Sequence, residues 1–114
     1  ISMKLEIFVH QNTDFLIQIG QNQIDNDEIV VAAVETDIWF HGADASSCHV
    51  ILKNTTKLRD IPRQVIKRCA YLCKINSQLK TQKKCNIMYT KIENVVSTNI
   101  LGQVSVETYK VISV

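Results

Sequence analysis

The stretch Asp37-Ile-Trp-Phe-His41-Gly-Ala-Asp-Ala-Ser-Ser-Cys-His49-Val-Ile-Leu-Lys53 gathers the side chains of this chain best suited to chemistry. It reads as two short strands joined by a polar turn. Period-2 alternation puts Asp37, Trp39 and His41 on one face of the first strand and Ile38 and Phe40 on the other. On the second strand His49, Ile51 and Lys53 share a face, and Cys48, Val50 and Leu52 share the opposite one. One face of the hairpin can be core. The other collects a carboxylate, the only Trp and two of the three histidines of the chain. Three chemistries are open to such a set. A zinc site needs three or four converging ligands; Cys48 faces away from His49, no short-spaced ligand pair exists, and no metal or other cofactor is expected. Acid–base work by His41 and His49 on a Ser46 or Ser47 nucleophile lacks a nucleophile elbow, a phosphate loop or a metalloprotease helix. The serines suit turn hydrogen bonding better, and no catalytic residue is expected. The third chemistry is recognition: Trp39 and His49 offer stacking or sugar contacts, while Asp37 and His41 are fixed by internal hydrogen bonds and His49 is the more open ring.

The elements that position these residues follow from pattern. Residues 4–9 and 15–19 read as a hairpin with a turn from His10 to Asp14. Gly20 breaks the second strand, and Asn26 is placed to cap a short helix to about Val34, with Asp27 and Glu28 in its first turn. Residues 37–41 and 48–53 are the hairpin above. Asp60 and Pro62 mark the start of a long helix to about Gln78. On it Val65, Cys69, Leu72 and Asn76 cluster on one side, and Arg63, Lys67 and Lys74 fall opposite in a stripe bordered by Tyr71. Residues 85–91 read as a strand and 103–113 as a long alternating one, with a loop over Ile92 to Gly102. The fold class expected is α+β: a largely antiparallel sheet with one long basic amphipathic helix and one short helix.

The chain has 114 residues, enough for one domain with one modest core. No apolar run approaches the ~20 residues that span a bilayer. Four cysteines, at 48, 69, 73 and 85, form no Cys-x-x-Cys pair and read as reduced, buried thiols. Charge is unevenly spread. Residues 1–47 carry eight acidic side chains and one basic, whereas residues 48–114 carry twelve basic and three acidic. Eleven Lys/Arg lie from Lys53 to Lys91 against Asp60 alone. Such asymmetry points to a polyanionic partner for one face. The stripe Arg63, Lys67, Lys74, with Tyr71 beside it, supplies cations on a rigid element. Lys53, Lys57 and Arg59 before it, and Lys80, Lys83 and Lys84 after it, extend the surface.

The same residues carry a family resemblance. Asp37-Ile-Trp-Phe-His41, followed after a turn by Ser-Cys-His49-Val, resembles the signature strand pair of the NFACT-R domain, with Ser47 and Cys48 standing where many members have Gly and Ser. Gly20-Gln-Asn22-Gln-Ile-Asp-Asn26-Asp27 is similar to that family's Gly-x-Asn-x-x-x-Asn-Asp block. Asp60-Ile-Pro62 ahead of a basic helix narrows the likeness to the small stand-alone eukaryotic members, of the coiled-coil domain-containing protein twenty-five type. The resemblance runs from about Met3 to the end and implies a single domain over 3–114; Ile1-Ser2 looks like a cloning scar, and the charged tail of the small members is absent, as in a folded-domain fragment. It implies a non-catalytic RNA-binding module, with ribosomal or transfer RNA as partner in translation quality control in the cytoplasm. DNA binding through the same basic face is the nearest variant. The alternative is a module docking an acidic protein or an anionic membrane surface, with a protein partner for the missing tail.

Overall fold

The computed structural model describes residues 3–114; Ile1 and Ser2, read above as a scar, lie outside them. Strands β1 (Lys4–His10) and β2 (Thr13–Ile19) form the first hairpin. Its loop is only two residues, Gln11 and Asn12, both at positive φ (48° and 63°). That backbone matches the twist of the strands it joins, and it is tighter than the His10–Asp14 turn expected. Helix α1 (Gln23–Ala32) follows, then β3 (Ile38–Gly42), β4 (Val50–Leu52), α2 (Arg63–Ile75) and β5 (Asn86–Lys91). The stretch read as loop plus one long strand resolves differently. It makes a small hairpin, β6 (Val95–Ser97) and β7 (Val104–Val106), and a separate strand β8 (Lys110–Ser113). The alternation of 103–113 is interrupted at Glu107–Tyr109, where the chain leaves one sheet for the other.

Six strands form one sheet in the order β1-β2-β4-β3-β5-β8, every neighbouring pair antiparallel. The α+β class expected from pattern is the one found. Long α2 packs on one face, burying Val65, Cys69, Leu72 and Cys73 against Ile17, Ile38, Phe40, Val50 and Leu52. Short α1 and the β6–β7 hairpin cover the other, where Ile29, Val30, Trp39, Ile51 and Ile92 meet. The central strands β3 and β4 are therefore buried on both faces, which is why Ile38-Trp-Phe and Val50-Ile-Leu are continuous apolar runs. All four cysteines are buried thiols. Burial pushes the Cys69 thiol above its ordinary value, so it packs rather than reacts. Among the described residues no helix is long and apolar enough to cross a membrane.

Candidate nucleic-acid interface and histidine cavity

The Gly20–Asn26 block is built around one hydrogen bond. Asn22 caps α1, its side chain accepting from the Asp25 N–H at 2.9 Å, and Asp25 reaches back to the Gln21 N–H at 3.1 Å. The helix thus starts one turn earlier than expected, and Asn26 is not its cap. Asn26 lies inside the helix, buried, and its Oδ1 accepts from the backbone N–H of His49 at 3.0 Å. Gly20, whose own N–H donates to the His49 carbonyl at 2.9 Å, leaves room for that side chain: a Cβ there would sit 2.0 Å from Asn26 Oδ1. Both backbone groups of His49 are thereby held, which sets the position of its ring.

Three rings meet on the α1 side of the sheet. Trp39 and His41 stack nearly parallel, centroids 5.6 Å apart. His49 stands edge-on to both, at 5.7 and 4.8 Å. The register that pairs Phe40 with Val50 sets His41 opposite His49. Trp39 Nε1–H donates to His49 Nδ1 at 3.1 Å. An indole only donates, so His49 is neutral with its proton on Nε2. Burial, then the neighbouring His41, depress its pKa to about 3, with a backbone hydrogen bond to Gly102 pushing the other way. His41 Nδ1 lies 2.8 Å from the Gly42 carbonyl, which can only accept, so Nδ1 carries the proton and Nε2 a free lone pair. Desolvation lowers the His41 pKa as well. The internal bond expected for His41 is present.

The openness expected of His49 is not. His49 is 3% exposed and Trp39 is 0% exposed; His41 is the half-buried ring. The reason is the β6–β7 hairpin, whose residues suggest loop and extended strand by pattern alone and which folds over this face, with Val95, Val104 and Val106 packed against the Trp39 cluster. Trp39 and His49 cannot stack on a nucleotide directly. Above the rings remains a cavity of about 530 Å³, lined by His41, Ser46, Gln23, Met88, Leu101 and Gln103 among others. The turn signal that would have found its roof is Gly102, at φ +76° and packed against Gln23.

Asp37 is a structural acceptor. Its fully buried carboxylate takes the Val34 and Asn54 N–H groups at 2.9 and 3.0 Å and pairs with Lys53. Lys53, expected on the binding surface, is thus committed to a buried charge. Lys74 is a second correction. Although it shares the helical stripe of Arg63 and Lys67, it is buried, and its Nζ donates to the carbonyls of Lys83 and Val114 at 3.2 Å each. The end of the chain crosses over that turn of the helix. Arg63, Lys67, Lys57, Arg59, Lys80, Lys83 and Lys84 are exposed. Tyr71 is half exposed beside Arg68, whose guanidinium sits 5.7 Å over its ring and binds Glu6 through two bonds of 2.7 Å. The basic face of α2 and the ring cluster lie on opposite faces of the sheet. They approach at one end, where Gly42 and the turn after it meet the 78–84 connector: Leu79 would be 3.0 Å from a Cβ on Gly42.

Comparison with known proteins agrees with this geometry. Coiled-coil domain-containing protein 25 of Mus musculus is 33% identical over 90 residues, covering 76% of this chain and 43% of that protein. Protein JLP2 of Saccharomyces cerevisiae is 31% identical over 107 residues, 87% of this chain and 51% of that protein. The chain spans about half the length of these relatives or less. The solved C-terminal part of the fibronectin/fibrinogen-binding protein from Streptococcus suis superposes with a TM-score of 0.83 at 21% identity, over 97% of this chain and 45% of that one, and shows the same fold. The family model described as NFACT protein RNA binding domain matches residues 4–108. With the signature strand pair and the Gly20–Asn26 block both built into the ring cluster, the chain belongs to the NFACT RNA-binding domain family.

Proposed function

We propose that this domain binds RNA without catalysing a reaction, with ribosomal or transfer RNA as the partner, in a cytoplasmic setting of translation quality control. The observation that carries the reading is a set of cations left uncommitted by the fold. The ion pairs among the described residues are Lys53–Asp37, Arg68–Glu6 and Lys91–Glu93. Arg63 and Lys67 on the outer face of α2, and Lys80, Lys83 and Lys84 on the connector, are exposed outside those pairs. Cations spaced along a rigid helix suit a phosphate backbone, and the family description supports RNA as its source.

The test is the salt dependence of binding to short RNAs by the wild type, by Arg63→Glu/Lys67→Glu, and by Lys80→Glu/Lys83→Glu/Lys84→Glu. Each lost contact to a single strand lowers the slope of log K against log salt by about 0.7. Unchanged affinity and slope in both variants at low salt would sink the assignment. A second reading, a module docking an acidic protein or an anionic membrane surface, is favoured by one observation. Leu5, Ile7 and Val9 form an apolar row on edge strand β1, 60%, 62% and 59% exposed. Competition decides: RNA that fails to displace the domain from anionic vesicles or from an acidic peptide selects the second reading. DNA of matched sequence, run beside the RNA, separates the two nucleic acids.

A further inference from the structure

The cavity over the ring cluster differs from the basic face in kind. Its volume, about 530 Å³, falls within the ~300–1,000 Å³ of small-molecule sites. Among the described residues that line it, none is Lys, Arg, Asp or Glu. A phosphate entering it would lose its water without gaining a counter-charge. What lines it is neutral and of two sorts. Met88, Leu101, Val104 and Val106 give apolar walls. Gln23, Gln103, Ser46 and the free Nε2 of His41 give uncharged donors and acceptors. Ser47 is not among those available, since its hydroxyl accepts from the Gly42 N–H and donates to the Cys48 carbonyl, both at 2.8 Å.

The aromatic arrangement adds direction. Trp39 is sealed beneath, and His41 stacks on it at an interplanar angle of 7°. His41 is the half-buried member of that stack and lines the cavity, so it is the ring that a further planar group can meet. Amides and an acceptor nitrogen around a flat, uncharged slot match the edge of a heterocycle with its own donors and acceptors. A smaller cavity, about 290 Å³, shares Ala45 with the first and is lined by Lys84 as well as Asp44. The two cavities adjoin at Ala45, so a phosphate just outside the first has Lys84 within the lining of the second.

We propose that this cavity receives one unpaired nucleobase of a single-stranded RNA, stacked on His41 and read at its edge by Gln23, Gln103 and His41 Nε2, while the flanking phosphates lie outside toward Lys84 and the connector. The inference rests on the RNA-binding reading and deepens it, because it makes the domain selective for unpaired over duplexed RNA. A base inside a helix cannot enter the slot.

The test uses the whole chain, a mixed-sequence single-stranded RNA of eight nucleotides, and the same RNA annealed to its complement, with histidine ring signals followed by NMR. The single strand should bind more tightly than the duplex and should shift the His41 ring signals of the wild type. His41→Ala should weaken single-strand binding by about fivefold to a hundredfold, the range for loss of one stacked base, and leave the salt slope unchanged. His41→Phe, which keeps a ring and the packing on Trp39, should recover part of that loss. RNA bound with unmoved His41 signals, or with equal affinity for single strand and duplex, would overturn the nucleobase slot and leave RNA binding by the basic face intact. Failure of the wild type to bind either RNA at low salt would overturn both.

Discussion

Trp39 and His49 share one hydrogen bond on the α1 side of the sheet, and that bond reverses the roles expected of the two histidines. Its place at the start of a strand, beside the Ser46-Ser47 turn, makes His49 the freer ring in expectation. In the fold it is the acceptor for a fully buried indole N–H at 3.1 Å. His49→Ala therefore strands that donor, and we expect a loss of about 1–3 kcal/mol of stability, read from denaturant melts. A variant as stable as the wild type would show that the bond is replaced. The same burial ties stability to pH. An unfolded histidine titrates near 6.5, whereas His49 in the fold is held at about 3. Between those values the unfolded chain carries a proton that the folded one does not, so the contribution is fully present above pH ~6.5 and is lost as pH falls. From pH 7 to pH 5, above the range where carboxylates titrate, His49 alone should remove about 2 kcal/mol. His41, depressed in the same direction, adds to it. Urea midpoints at the two pH values measure the drop. Stability that stays flat over that window would mean that His49 is not held neutral.

Helix α1 shows how a sequence block can be recognised while its mechanics are misread. Gly20, Asn22 and Asn26 stand out by type and spacing, and the expectation that Asn26 caps the helix is sound for an Asn before an apolar run. Asn22 takes that role instead, because Asn26 is drawn across to the His49 N–H on another element. Propensity reports local preference; it carries no information about a partner 23 residues away. The long helix was legible because its apolar stripe spans several turns, and β3 and β4 because they are apolar on both faces. The β6–β7 hairpin was not, since its residues are mostly exposed and its strands are three residues each. Missing it meant missing the roof of the cavity, and hence the burial of Trp39 and His49. The Gly20–Asn26–His49 linkage can be tested as a unit. Gly20→Ala drives a Cβ into Asn26 Oδ1, and Asn26→Ala removes that acceptor; each should cost about 1–3 kcal/mol. Since both act through the same bond, the double variant should cost less than the sum of the two. Strict additivity in a double-mutant cycle would separate Gly20 from Asn26.

The charge split along the chain becomes a split in space. Acidic α1, with Asp25, Asp27 and Glu28, lies on one face of the sheet, and α2 with Arg63, Lys67 and Arg68 lies on the other. Composition located the excess of basic charge, and helical angle placed Arg63, Lys67 and Lys74 in one stripe. Angle could not show what would later cover the stripe, because the covering carbonyls, Lys83 in the connector and Val114 just after β8, lie off the helix, nine and 40 residues beyond Lys74. Cys85 and Val114 exchange backbone hydrogen bonds at 2.8 and 2.9 Å, and Lys74 Nζ closes the corner by donating to Val114 and Lys83. This alters how the basic surface must be probed. The expectation that Arg63, Lys67 and Lys74 can all be reversed without harm to folding holds for the two exposed positions only. Arg63→Glu and Lys67→Glu should each change stability by no more than about 0.5 kcal/mol. Lys74→Glu puts a carboxylate against two carbonyl acceptors with no donor between them, and should cost at least about 2 kcal/mol. Lys74→Met, which keeps the apolar stem, should fall between. Denaturant midpoints on the three single variants decide the matter: a Lys74→Glu protein as stable as Arg63→Glu would place Lys74 in solvent after all. If it is destabilised, weaker RNA binding by any variant containing Lys74→Glu reports partial unfolding, and only Arg63, Lys67 and the connector lysines test the proposed interface.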